Sequence, residues 1–173
     1  MLHDDLLDQA EQLLQLDARR PKQASLRRTI STAYYALFHA LGYQLSRQLV
    51  GTSAEKKVLR GITRRALAHS EIAKALTGFA SGNVPSIYKQ VIGEDVPTST
   101  LRQVAGTFIR LQRLRHQADY DLNVAFAKVE AQAAVRDARD AVALLMATEG
   151  ASRLQEEVFL LSMLLQAPLR GRQ

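Results

Sequence analysis

The sequence predicts an all-α protein: an antiparallel up-and-down helical bundle with an additional helix at each end. Three observations support this prediction. Apolar residues recur at steps of three and four along almost the whole chain. No run of alternating β-branched residues is long enough for a strand. Proline and glycine are sparse, so the connections are short, and short connections favour antiparallel neighbours.

The apolar spacing predicts seven helices. They cover residues 3–18, 23–49, 53–68, 70–79, 99–121, 126–148 and 152–166. Aspartates near the start of the first suit the positive end of the helix dipole, and Pro21 ends its pattern. The second carries one apolar stripe from Leu26 to Leu45 and is long enough to act as the spine of a bundle.

The later helices follow from local signals. Ser53 with Lys56 and Lys57 opens the third, and the fourth is short. Residues 80–98 have no clear period and are predicted as a loop. The hydroxyl of Ser99 or Thr100 caps the fifth. The sixth is rich in alanine and charge pairs, and the seventh contains the apolar segment EVFLLSMLL (157–165).

Length and composition bound the class of protein. The 173 residues suffice for one domain, predicted to span 1–173 with its core at about 25–147 and flanking helices at 3–18 and 152–166. The absence of cysteine excludes disulfides, thiolate zinc sites and a cysteine nucleophile. The first residues do not form a signal peptide, and no apolar run reaches the length of a membrane span, so we expect a cytoplasmic protein with no membrane association.

Motif-defined enzyme classes are absent from the sequence. The four histidines form no i, i+4 pair and no H-E-x-x-H, so we expect neither a metal site nor a cofactor. No P-loop, dinucleotide fingerprint or G-x-S-x-G is present.

The charge is unevenly distributed. The chain carries a net charge of +6. Residues 1–18 hold five acidic and no basic residues, residues 19–28 hold five basic and no acidic ones, and residues 102–115 hold four arginines and no acid. Polyanionic partners explain such runs, and so do solvated helix faces with ion pairs between helices.

Two helices carry polar side chains at unexpected positions. Arg115 lies seven residues after Phe108, on nearly the same line as the apolar stripe of the fifth helix. Either it pairs inward with Asp119, one turn later, or its planar fork binds phosphate. On the second helix, Arg28, Thr32, Tyr35 and His39 share a face. This face is either a polar core edge with a snorkelling arginine or part of a binding surface.

AYYALFHA (33–40) and RHQADY (115–120) resemble the two motifs of a bacterial branch of the HEPN superfamily (higher eukaryotes and prokaryotes nucleotide-binding), in which one helix carries A-Y-Y-A-x-F-H-A and a later helix R-x-x-A-D-Y. RALAHSEIAKA (65–75) is similar to a His-containing segment between them. The resemblance covers residues 25–147. It implies a helical bundle that dimerises, and many members are metal-independent endoribonucleases, often toxins paired with a nucleotidyltransferase antitoxin.

In that family the site is composite and lies at a dimer cleft, where an Arg and a His separated by four to six residues promote attack of an RNA 2′-hydroxyl on the adjacent phosphate. The resemblance and the polar face of the second helix give our candidate residues. The catalytic candidates are Arg115, His116, Asp119 and Tyr120. The RNA- or phosphate-binding candidates are Arg28, Tyr35, His39, Arg110 and Arg113.

This sequence departs from the family signature at its histidine. Tyr120 stands where the ribonuclease members keep that residue, and a phenol with a pKa near 10 is a poor base at neutral pH. Arg110 and His116 have the right separation, but they project about 120° apart on a regular helix. The family's modifiable tyrosine would fall at Leu122.

Two hypotheses follow. The first is a metal-independent endoribonuclease of a toxin–antitoxin or defence system. The second is a non-catalytic HEPN module that binds a nucleotide, a nucleic acid or a nucleotidyltransferase partner. A DNA-binding regulator has only the basic stretches in its favour.

Overall fold

The computed structural model describes residues 1–16, 20–93, 97–147 and 153–170, and every regular element in these ranges is helical. The all-α prediction is therefore confirmed. The elements are α1 (Leu2–Gln15), α2 (Gln23–Val50), a 3₁₀ turn (Ala54–Lys56), α3 (Lys57–Arg65), α4 (His69–Ser81), α5 (Ser86–Ile92), α6 (Ser99–Tyr120), α7 (Lys128–Met146) and α8 (Arg153–Arg170).

The long helices match their predicted bounds best. The predictions of 23–49 for α2 and 99–121 for α6 are confirmed to within one residue at each end. The third predicted helix is shorter, because a 3₁₀ turn precedes α3 and α3 ends at Arg65. The predicted end of the first helix at 17–18, the end at 148, the start at 152 and loop residues 94–96 lie outside the described residues, as do Asp17 and Arg19 of the charge runs.

None of the described helices combines the length and the apolar character that crossing a membrane requires.

Two compact units make up the chain: Met1–Ala40 with Thr107–Ala143, and Leu41–Gly106 with Leu144–Gln173. We call them the first and the second unit. The single domain predicted over residues 1–173 stays a prediction.

The first unit has an apolar core at the expected helical spacing. Its buried side chains include Leu26, Ile30, Tyr34, Leu37, Phe108 and Leu111. Burial of one such side chain contributes about 1.5–3 kcal/mol. The predicted apolar stripes of the second and fifth helices therefore form the core they were expected to form.

Within this unit α2 and α6 run antiparallel. The rings of Tyr34 and Phe108 lie 5.4 Å apart between their centroids. At the other end, Gln23 exchanges two hydrogen bonds with the backbone of Phe126, at 2.8 and 2.9 Å. Gln23, early in α2, therefore contacts the later residue Phe126, whereas Tyr34, further along α2, contacts the earlier residue Phe108. This order aligns the two segments that carry the sequence motifs.

Part of the acidic run at the N-terminus is paired within the first unit. Arg139 on α7 contacts Asp8 at 3.4 Å and Glu11 at 2.7 Å, both on α1. The interpretation of this run as an exposed helix face with ion pairs between helices is confirmed at these residues. Exposed pairs of this kind contribute about 0–1 kcal/mol each.

Aromatic side chains organise the second unit. Phe79 on α4 meets Phe159 on α8 edge to face, with centroids 5.0 Å apart, and lies 6.4 Å from Tyr88 on α5. Val158, Leu160 and other apolar residues of EVFLLSMLL are buried here as well. The apolar surface of that segment is therefore largely buried inside the unit.

The prediction that residues 80–98 form a loop is wrong for 86–92, which form α5. Pro85 stands at the N-cap, and Gly93 ends the helix in the left-handed region at φ 67°. Tyr88 is its buried residue. A helix of seven residues with one buried side chain shows no apolar period, which is why the pattern failed to predict it.

The prediction that Ser99 or Thr100 caps the fifth helix is also wrong by one or two positions. Thr98 Oγ1 accepts a long hydrogen bond of 3.4 Å from the backbone N–H of Leu101. The N–H of Thr98 itself donates to Oε1 of the buried Gln155 at 2.9 Å. The start of α6 is thus held by its own cap and by α8, both within the second unit.

Candidate functional site

Tyr35 of the first motif and Ser31, one turn before it on α2, meet two residues of the second motif in the first unit. Arg115 Nη2 donates to the Tyr35 hydroxyl at 2.8 Å, and the Ser31 hydroxyl donates to Asp119 Oδ1 at 2.5 Å. Ser31 and Tyr35 are one turn apart on α2, as Arg115 and Asp119 are on α6. The antiparallel register therefore brings the two pairs face to face, and we call these four residues the Arg115 network.

Arg115 is held on several sides. Its Nε lies 2.7 Å from Asp119 Oδ2, without the alignment of a hydrogen bond, so this contact is an ion pair. Its guanidinium carbon lies 5.5 Å from the centroid of the Tyr35 ring and 5.3 Å from that of Tyr120. The inward Arg115–Asp119 pair expected from the apolar stripe is confirmed.

The electrostatics of Arg115 agree with this geometry. Burial alone lowers its pKa, but the hydrogen bond to Tyr35 and the charge of Asp119 outweigh that effect, so the pKa lies above its ordinary value. Its side chain is 19% exposed and that of Asp119 is 26% exposed. Arg115 is thus a fixed cation near the surface, and no residue in the described ranges accepts a hydrogen bond from its Nη1.

His116 and Tyr120 lie on the outer side of α6. Both residues are exposed, and their rings lie 5.1 Å apart at an i, i+4 spacing. His116 follows Arg115 directly, so the two side chains leave the helix about 100° apart. Tyr120 contacts both Arg115 and His116 and therefore connects the network to the outer face.

The other predicted phosphate-binding residues are more dispersed. Arg110 forms an ion pair with Asp137 on α7, with both side chains partly exposed. Arg113 and Arg28 are exposed, and His39 is partly buried with its ring 5.4 Å from Phe38. Of these candidates, Tyr35 is the one that the structure places in the Arg115 network.

Arg27, the neighbour of the predicted candidate Arg28, was not among the residues predicted from the sequence. The Arg27 guanidinium donates to the carbonyls of Gln117, Ala118 and Asp121 at 3.3, 2.8 and 2.9 Å, and makes a short contact with that of Val124. It also lies 5.6 Å from the centroid of the Phe126 ring. Arg27 thus satisfies the last carbonyls of α6, the helix that carries Arg115. Nothing in the sequence alone distinguishes Arg27 from the adjacent Arg28.

The chemistry available at the site is ionic and hydrogen bonding. No cluster of three or more His, Asp or Glu side chains in the described ranges is placed to hold a metal ion. The Arg115 network instead offers a fixed guanidinium, a carboxylate and two hydroxyl groups. The imidazole of His116 lies on the adjacent face of α6.

Comparison with protein-family models, curated proteins and solved structures gives no match.

Proposed function

We propose that this protein is a HEPN-like helical bundle that binds RNA through the Arg115 segment without cleaving it. The observation that carries the proposal is the state of Arg115. Its guanidinium is fixed by Tyr35, Asp119 and two aromatic rings, and its Nη1 donors have no acceptor among the described residues. A guanidinium fixed in this way presents its remaining N–H groups to a phosphate oxygen with little loss of side-chain entropy.

The resemblance supports RNA as the source of that phosphate. It rests on AYYALFHA and RHQADY; the contact of Tyr35 with Arg115 joins these two segments, and the bond of Ser31 to Asp119 supports it one turn away. Tyr120, whose ring contacts the Arg115 guanidinium, adds a surface on which a base can stack, whereas the exposed Arg113 leaves α6 about 160° from Arg115 and does not share that side.

Binding is favoured over cleavage because of where the titratable groups lie. The ribonuclease members keep a histidine where Tyr120 stands. His116, the imidazole of this segment, projects from a different line of the helix than Arg115. Asp119 is engaged by both Arg115 and Ser31. Within the Arg115 segment of α6, neither the imidazole of His116 nor the carboxylate of Asp119 is therefore placed for proton transfer at a phosphate on Arg115.

The resemblance also leads us to propose a homodimer, a nucleotidyltransferase-type partner and a cytoplasmic location. The surface beside Tyr120 suits the dimer contact, since Tyr120 is 63% exposed and Leu122 is 87% exposed. Interaction surfaces typically contain neighbouring apolar side chains that are exposed to solvent. Light scattering that finds a monomer at micromolar concentration contradicts the dimer.

Fluorescence anisotropy with a short labelled single-stranded RNA tests the binding function. We expect Arg115→Lys, which keeps the charge but loses the fork, to weaken binding by about tenfold. The control is Arg136→Gln, which removes an exposed charge from α7 and should change binding less than about twofold. Equal affinities for wild type and Arg115→Lys, with both variants folded, contradict the proposal.

The second candidate is the metal-independent endoribonuclease. One observation favours it: His116 is exposed beside Arg115, with its ring against Tyr120. Incubation of RNA with the purified protein in EDTA tests this function. Cleavage that His116→Ala abolishes and Arg136→Gln retains establishes it, whereas RNA binding without cleavage supports the binding module.

A further inference from the structure

A basic cavity lies in the second unit and shares no residue with the Arg115 network. Its volume is about 610 Å³, within the range of small-ligand sites. The end of α2, the following turn and α3 form its wall. Four of its seven lining residues are cationic: Arg47, Lys57, Arg60 and Arg64. Tyr43, Thr52 and Gly61 complete the lining.

No carboxylate balances these four charges. Neither Asp nor Glu lines the cavity, and none of the four cations has an ion-pair partner in the part of the chain that the structure describes. Arginines elsewhere differ, since Arg110 and Arg139 each pair with a carboxylate. Four unpaired cations around one cavity repel one another, and an anionic ligand removes that repulsion.

Two of the guanidinium groups are held in place by neutral acceptors. Arg60 Nη1 donates to the carbonyls of Gly51 and Ser53 at 2.9 and 2.8 Å. Arg64 Nε donates to the hydroxyl of the buried Ser46 at 3.0 Å. These bonds orient the side chains, leave their charge in place and keep both Nη groups of Arg64 available. A guanidinium that is held in a fixed orientation and keeps its positive charge is suited to bind a phosphate through two hydrogen bonds.

Tyr43 fixes the α2 side of the cavity. The guanidinium carbons of Arg47 and Arg64 each lie 5.3 Å from its ring centroid, and Arg47 also donates to its hydroxyl at 3.0 Å. Cation–π contacts with the Tyr43 ring therefore hold the positively charged groups of Arg47 and Arg64 close together.

Gly61 keeps the cavity open on the α3 side. A methyl group built at this position meets no heavy atom within 4 Å, so packing does not demand a glycine here. Glycine is unfavourable inside a helix, yet Gly61 stands between Arg60 and Arg64 on the cavity wall. The missing side chain leaves room where a ligand would lie.

We propose that this cavity binds phosphate groups, with Arg47, Lys57, Arg60 and Arg64 as the ligand-contacting cations. The ligand would carry neighbouring phosphate groups, as the phosphate chain of a nucleotide and adjacent phosphates in RNA both do. The proposal is independent of the function proposed for the Arg115 segment, because no residue belongs to both sites.

The test compares Arg47→Gln with Lys57→Gln in one protein against a matched control, Lys74→Gln with Arg136→Gln. Both double variants lose one lysine and one arginine from exposed positions, so their net charges are equal. Binding of inorganic pyrophosphate is measured by calorimetry and binding of labelled single-stranded RNA by anisotropy. We expect the cavity variant to bind about tenfold to a hundredfold more weakly, and the control to stay within about twofold of wild type.

A second variant tests the cavity without changing charge. Gly61→Leu improves helix propensity and fills the space between Arg60 and Arg64, so we expect a folded protein with weakened phosphate binding. Thermal unfolding followed by circular dichroism verifies the fold.

The two probes distinguish the source of the phosphate. Loss of pyrophosphate binding alone identifies a small-ligand site, and loss of RNA binding with competition by pyrophosphate identifies a site for RNA phosphates. Arg115→Lys should leave pyrophosphate affinity unchanged, which separates this proposal from the other one. If wild type binds neither probe, or if the cavity and control variants bind equally, the proposal is overturned.

Discussion

Replacing Arg27 by methionine is expected to destabilise the first unit by about 3 kcal/mol. Methionine keeps the apolar stem of the side chain but removes the guanidinium, which donates to carbonyls at the end of α6 and just beyond. A hydrogen bond from a charged donor contributes about 1.5–3 kcal/mol. Ala118 is buried and its carbonyl loses its side-chain donor, whereas the more exposed Asp121 carbonyl regains water. The estimate therefore corresponds to the full loss of one bond and the partial loss of the others.

Urea unfolding followed by circular dichroism measures the effect. In a thermal scan the same loss corresponds to a decrease in Tm of roughly 6–12 °C for a chain of this size. The matched control is Arg28→Met. Arg28 is the adjacent residue, it is exposed, and it has no hydrogen bond or ion pair in the described ranges. We expect Arg28→Met to change stability by less than about 0.5 kcal/mol.

Arg27→Lys adds a further comparison. A lysine ammonium keeps the charge near the helix C-terminus but cannot reach several carbonyls in one plane, so its stability should lie between wild type and Arg27→Met. If Arg27→Met and Arg28→Met unfold at the same urea concentration, the guanidinium does not stabilise the end of α6 and the reasoning is refuted.

Three further predictions follow from buried or crowded groups. Burial raises the pKa of Glu156, and its Oε1 has no hydrogen-bond partner in the described ranges. The stability of the protein should therefore fall as the pH rises through that raised pKa. At pH 8, Glu156→Gln should be more stable than wild type by on the order of 1 kcal/mol, measured by urea unfolding. Burial likewise raises the pKa of Tyr34, so stability is retained below about pH 10 and lost above it, and Tyr34→Phe should reduce that loss. Gly78→Ala should destabilise, because a Cβ there lies 2.9 Å from the carbonyl of Asn83, whereas Gly106→Ala meets no atom within 4 Å and should stabilise α6 by up to about 1 kcal/mol in thermal unfolding.

Periodicity was sufficient to predict the long helices and the inward direction of Arg115. Arg115 lies seven positions after the fully buried Phe108, and that spacing placed the guanidinium on the stripe. Asp119 was predictable as its partner because both residues belong to one helix. These inferences use local geometry, which a single sequence contains.

Contacts between distant segments were not predictable in the same way. Tyr35 lies 80 residues from Arg115 and Ser31 lies 88 residues from Asp119, so their pairing depends on the register of two helices. Arg27 was missed because the choice between adjacent arginines requires knowing where α6 ends. The basic cavity was missed although residues 56–65 hold five basic and no acidic residues, because this run alone does not show that the end of α2 adds Tyr43 and Arg47 to the same cavity.

The register of α2 and α6 has a consequence for how the protein is made. The hydrogen bonds that Gln23, Ser31 and Tyr35 form across it span 80 to 103 residues, so closing the intervening chain costs conformational entropy before any of them forms. During synthesis, α2 has left the ribosome long before Arg115 and Phe126 are translated. The Arg115 network therefore assembles only when most of the chain is complete, and a product truncated before α6 carries the first motif without its partner.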